Sequence, residues 1–95
     1  MKATLVFRLK HELDDGAVVE MVIWSVPEAV PGSTHRFKYR LYFGTAGKRL
    51  LGYDNKRGKG DHRHVRGRET PYLFTSPETL IADFLADVEA ARKKR

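Results

Sequence analysis

The 95-residue sequence has no cysteine, which excludes disulfide bonds and thiolate-bound zinc. A reducing cytosol fits that absence. Long hydrophobic runs are missing too, since the longest apolar stretches fall far short of the ~20 residues that cross a bilayer. The opening alternates apolar with charged residues (Leu5, Phe7 and Leu9 against Arg8 and Lys10), where a secretion signal needs an unbroken apolar run. A soluble, cytoplasmic protein without membrane contact is expected. Negative charge is also scarce: 12 Asp+Glu stand against 18 Lys+Arg, a net charge of +6. That excess attracts polyanions, of which nucleic acid is the commonest large one in a cytosol.

What is present suffices for one core. Hydrophobic residues make up 41% of the chain, too many for a disordered segment, and the length suits a single domain spanning 1–95. Residues 2–13 alternate as a half-buried strand, with Ala3, Leu5, Phe7 and Leu9 on one face. Asp14-Asp15-Gly16 supplies hairpin-turn chemistry. The return strand, 17–26, is almost uniformly apolar, as expected of a central strand or one covered on both faces. A Pro/Gly-containing loop follows, and then the clearest strand, 35–43. There Arg36, Lys38, Arg40 and Tyr42 face one way, and Phe37, Tyr39, Leu41 and Phe43 the other.

After a turn at Gly44–Gly47 comes a fourth strand, 48–54. Residues 55–71 are the least core-like and read equally as a hairpin, with 61–66 pairing back, or as a mobile loop. Ser76 as N-cap, Pro77 at the first helical position and Glu78 open a helix. Its residues Leu80, Ile81, Phe84, Leu85, Val88 and Ala91 recur at helical spacing and should face the sheet. Trp24 and Phe84 are expected in the core, and the basic end Arg92–Arg95 suits the helix dipole. The expected fold is α+β, an antiparallel sheet of four to five strands packed by one C-terminal amphipathic helix.

Chemistry concentrates in 54–69, where Lys56, Arg57, Lys59, Arg63, Arg66 and Arg68 outnumber Asp54, Asp61 and Glu69. Interspersed glycines let backbone N–H groups approach an anion, and guanidinium groups grip phosphate in a planar fork. A solvated polar hairpin is the bland alternative. If 61–66 is extended, His62, His64 and Arg66 share a face. Two imidazoles beside an arginine suit metal-free RNA cleavage: one takes the 2′-hydroxyl proton, and the other protonates the leaving oxygen. A His-x-His metal site with Asp61 or Asp54 ranks lower, because the neighbouring arginines would repel a divalent cation. Exposed histidines without catalysis are the third reading. The basic face of 35–43, with Arg36, Lys38, Arg40 and Tyr42, could follow a nucleic-acid backbone or be an ordinary solvent face.

The run Tyr53-Asp54-Asn55, Gly58 through His64 and Arg66-Gly67-Arg68-Glu69 resembles the TumE family of bacterial toxins. Pro71-Tyr72-Leu73-Phe74 and Ser76-Pro77-Glu78 extend the likeness. The resemblance implies the toxin half of a two-gene toxin–antitoxin module, with a cognate antitoxin as partner and, as is common for toxins of this size, RNA as target. The resulting expectation is a metal-independent ribonuclease that needs no cofactor. His62, His64, Asp54 and Arg66 would be catalytic, and Arg36, Lys38, Arg40, Lys56, Arg57, Lys59, Arg63 and Arg68 would bind nucleic acid. The alternative is a non-catalytic module binding nucleic acid or protein.

Overall fold

A computed structural model describes residues 2–93. Six strands precede one helix: β1 (Thr4–Glu12), β2 (Val18–Ser25), β3 (Phe37–Thr45), β4 (Lys48–Lys56), β5 (Gly60–Val65), β6 (Arg68–Pro71) and α1 (Pro77–Lys93). Strands adjacent in sequence are adjacent in space and antiparallel, so the sheet is a meander in chain order. The α+β expectation holds, with six strands in place of four to five. Of the two readings of 55–71 the hairpin is borne out, since β5 pairs back onto β4, and the extra strand is β6, paired in turn with β5. Local turn chemistry explains this. Arg66 and Gly67 have φ of 51° and 84°, and Ala46 and Gly47 have 53° and 74°. Positive φ at both central residues gives the turn whose twist matches a two-residue hairpin.

α1 begins as its sequence dictates. The Thr79 N–H donates to Ser76 Oγ (3.1 Å) and the Leu80 N–H to Ser76 O (2.9 Å). The helix lies across β3 and β4, burying Leu80, Phe84, Val88 and Ala91. Leu85, expected to face the sheet, is 44% exposed. It lies one residue, about 100° of helix rotation, beyond Phe84, and the buried stripe is narrower than the apolar one. Opposite α1 the sheet contributes Val19, Met21 and Ile23 from β2, Tyr39, Leu41 and Phe43 from β3, and Leu51 and Tyr53 from β4. Among the described residues no helix is long and apolar enough to cross a membrane. Lys94 and Arg95 of the expected basic helix end lie outside the described residues.

Two expectations about the faces of β1 and β2 fail as well. β1 carries a bulge between Leu5 and Phe7: Leu5 pairs with Trp24 and Phe7 with Ile23. Val6 is the extra residue, so Leu5 and Phe7 point to opposite faces. Trp24 itself is half-buried and sits on the face away from α1, beneath the Arg8 guanidinium at 6.0 Å, and not in the core.

The loop before β3 is pinned by Asp61, which was considered above as a metal ligand. Its carboxylate accepts hydrogen bonds from Ser33 Oγ (2.7 Å) and Tyr39 Oη (2.6 Å), and lies 2.7 Å from His35 Nε2. Backbone meets backbone here: a Cβ on Gly32 would stand 2.7 Å from the Gly60 nitrogen, so only glycine permits the approach.

Candidate functional site

The meander sorts side chains by parity. One face of the sheet lies under α1. The other carries Arg8 and Lys10 from β1, Glu20, Val22 and Trp24 from β2, and Lys38, Arg40 and Tyr42 from β3. β4 adds Asp54 and Lys56, β5 adds His62 and His64, and β6 adds Glu69. Two cross-strand rows define its centre. Arg40, Asp54 and His62 are successive partners, and so are Tyr42, Gly52, His64 and Glu69.

At the end of these rows two imidazoles and two carboxylates meet. His62 Nε2 and His64 Nε2 each lie 3.8 Å from Glu69 Oε2, so the two nitrogens are at most 7.6 Å apart (twice 3.8 Å). Asp54 Oδ2 is 3.7 Å from His64 Nε2. These separations exceed hydrogen-bond length. His64 Nε2 is accordingly buried with no hydrogen-bond partner among the described residues. His62 Nδ1 is 3.0 Å from the Gly60 carbonyl oxygen. A carbonyl only accepts, so Nδ1 carries the hydrogen and Nε2 of the neutral ring offers its lone pair.

Burial, and then the nearby Arg49 guanidinium, hold the His64 pKa below its ordinary 6.5, against the opposing pull of Asp54 and Glu69. Arg49 reaches this face through a second bulge. Phe43 pairs with Leu51 but Gly44 pairs with Arg49, leaving Leu50 as the extra residue. The bulge moves Arg49 from the α1 side to the open side. Its stem then crosses Gly52, where an added Cβ would be 3.0 Å from Arg49 Cδ. Beside the cluster, Lys38, Arg40, Asp54, Lys56 and Arg57 line a shallow hollow of about 210 Å³.

Of the residues singled out in the sequence, His62, His64 and Asp54 come together, and Lys38, Arg40, Lys56 and Arg57 gather beside them. Arg36 is exposed immediately before β3, and Lys59 is exposed in the β4–β5 turn. Arg66 does not project with the histidines, because β5 ends at Val65 and Arg66 turns away in the hairpin. Arg63 faces α1, where its Nε lies 2.7 Å from Asp87 Oδ2. Arg68, the partner of Val65, is on that same side. Sequence reasoning missed Arg49, hidden by its bulge, and Glu69, whose place depends on the tight turn before β6. Among the described residues no three of His, Asp and Glu are placed to hold a metal ion.

The family model described as Toxin TumE matches residues 2–92, nearly the whole described chain. The chain belongs to the TumE toxin family. No curated protein and no solved structure matches it. The TumE match spans both the α1-covered core and the open face, and membership in a toxin family implies an antitoxin partner.

Proposed function

We propose that this TumE-family chain is a toxin that acts on RNA as a metal-independent ribonuclease, with the open sheet face as its substrate surface. The observation that carries the reading is the convergence of two imidazole Nε2 atoms on one Glu69 oxygen, 3.8 Å from each, beside the basic hollow. A phosphodiester lying between the rings brings its 2′-hydroxyl and its leaving oxygen within reach of different nitrogens.

His64 is the general base. Its depressed pKa keeps it neutral at physiological pH, and its unpartnered Nε2 is free to accept the 2′-hydroxyl proton. The 2′-oxygen then attacks phosphorus and the bond to the 5′-oxygen breaks, leaving a 2′,3′-cyclic phosphate. His62 in its imidazolium form gives the Nε2 proton to that leaving oxygen while Nδ1 stays bound to Gly60 O. Asp54, 3.7 Å from His64 Nε2, stabilises the imidazolium that His64 becomes on taking the proton, and Arg40 and Lys38 offset the charge developing on the phosphoryl oxygens.

The test is incubation of purified protein with RNA, with and without EDTA, for the wild type, His62→Ala and His64→Ala. Cleavage should survive EDTA and fall about 10²–10⁴-fold in each variant. Intact RNA in the wild-type reaction, when expression of the same protein arrests growth, would sink the nuclease mechanism. Salt-dependent RNA binding without turnover would instead support a non-catalytic nucleic-acid module.

A further inference from the structure

The only tryptophan of the chain lies outside the core, on the same face as the imidazole cluster. Trp24 is half-buried opposite Lys38, with the Arg8 guanidinium 6.0 Å above its ring. Tyr42, four residues beyond Lys38 on β3, repeats the arrangement, with the Arg40 guanidinium 5.6 Å over its ring. Its hydroxyl end rests over Gly44, in space that a Cβ at Gly44 would occupy. Each ring is thus held by the sheet and capped by a flexible cation.

We infer that Trp24 and Tyr42 are base-stacking platforms that commit this surface to single-stranded RNA. The inference rests on the ribonuclease reading and names its substrate class. Aromatic rings alternating with arginines along a groove are the means by which proteins hold unpaired nucleotides, because every base has a π-face and guanidinium planes stack on it too. A duplex does not fit, because its bases already stack on one another and offer no face to either ring. Four residues of strand separate the two rings by about 13 Å. A strand that lays a base on each ring must therefore have those bases unpaired and splayed. Arg40 lies between the platforms along β3, placed to hold a phosphate between two stacked bases, and it is also the cross-strand partner of Asp54. Tyr42 begins the row that runs through Gly52 to His64, so a base on Tyr42 sets which phosphodiester reaches the imidazoles.

Since Trp24 is the sole tryptophan, its fluorescence reports directly on the site. The experiment titrates the full chain with a short mixed-sequence oligoribonucleotide whose 2′-oxygens are methylated against cleavage, alone and annealed to its complement. The single strand should quench Trp24 and the duplex should not. Trp24→Leu and Tyr42→Leu should each weaken single-strand binding about tenfold, measured by anisotropy of a labelled strand, with Trp24→Phe restoring most of it. Unchanged fluorescence with both leucine variants binding as the wild type, or an equal response to duplex, overturns the inference while the ribonuclease reading stands on its cleavage assay. Failure to bind either RNA overturns both.

Discussion

The two faces of this sheet treat polar groups in opposite ways. Under α1 the polar atoms are matched. Tyr53 Oη donates to Asp87 Oδ2 (2.5 Å), Tyr72 Oη donates to Asp83 Oδ2 (2.6 Å), and Arg63 Nε donates to Asp87 Oδ2 (2.7 Å). Burial, reinforced by those carboxylates, raises the pKa of both tyrosines, so the hydroxyls stay protonated donors that bind α1 to β4 and to the segment after β6. On the open face a buried imidazole nitrogen has no hydrogen-bond partner among the described residues, while Lys38 and Arg40 are exposed. On the proposed reading, one face carries the stability and the other the chemistry. Substitutions should therefore separate the two properties.

The largest effects belong on the covered face. Leu80 is fully buried and Leu85 is 44% exposed, although both lie in the same apolar pattern of α1. Leu80→Ala should cost about 2–5 kcal/mol of unfolding free energy, and Leu85→Ala under about 1 kcal/mol, in urea titrations. Equal costs would mean that α1 packs on a different stripe.

Next in size is Asp87→Ala. It leaves the buried Tyr53 hydroxyl without its acceptor and should cost about 1–3 kcal/mol. The lower half of that range is expected because the Arg63 side chain is 37% exposed and its ion pair is screened. Burial raises the Asp87 pKa, but hydrogen bonds from Arg63 and Tyr53 outweigh it and leave the carboxyl below its ordinary 3.8. On acidification the unfolded chain takes up this proton first. The Asp87 contribution is thus complete above about pH 4 and lost as pH falls through the lower folded value. The alanine variant should show a flatter fall of stability with acid, and a parallel fall would assign the acid sensitivity to other carboxylates.

These contrasts also show what the sequence made legible. In β3 the alternation is unbroken, so Lys38, Arg40 and Tyr42 separate cleanly from Tyr39, Leu41 and Phe43, and the Ser76-Pro77-Glu78 start of α1 is written in local chemistry. The shared face of His62 and His64 follows from the same period of two once β5 is a strand. Periodicity fails where a residue is inserted. Val6 reverses Leu5 relative to Phe7, and Leu50 carries Arg49 to the imidazoles; neither bulge has a local signature that counting could detect. Asp61 looked like site chemistry but anchors a loop, because its partners Ser33, His35 and Tyr39 are 22 to 28 residues away in sequence. Long-range partners of that kind are set by the fold alone.

Smaller effects belong on the open face. Arg40→Gln should leave stability within about 0.5 kcal/mol of wild type while reducing the slope of log affinity for RNA against log salt by about 1. A stability loss as large as that of Asp87→Ala would contradict the division between faces.

The subtlest test concerns why His64 resists protonation. Burial is the larger cause and Arg49 the next, so Arg49→Gln should move the His64 titration midpoint upward, as followed by the ring C–H signals in NMR. The sign carries to stability. As pH falls through about 6.5 the unfolded chain binds a proton that the folded His64 refuses, so the contribution of this group is whole above that pH and is lost as pH drops through the folded midpoint. Arg49→Gln should soften that loss and shift the acid limb of any cleavage profile upward with the midpoint. A His64 midpoint that does not move would show that the bulge delivers Arg49 to the open face for contact with substrate alone, with His64 tuned entirely by its burial.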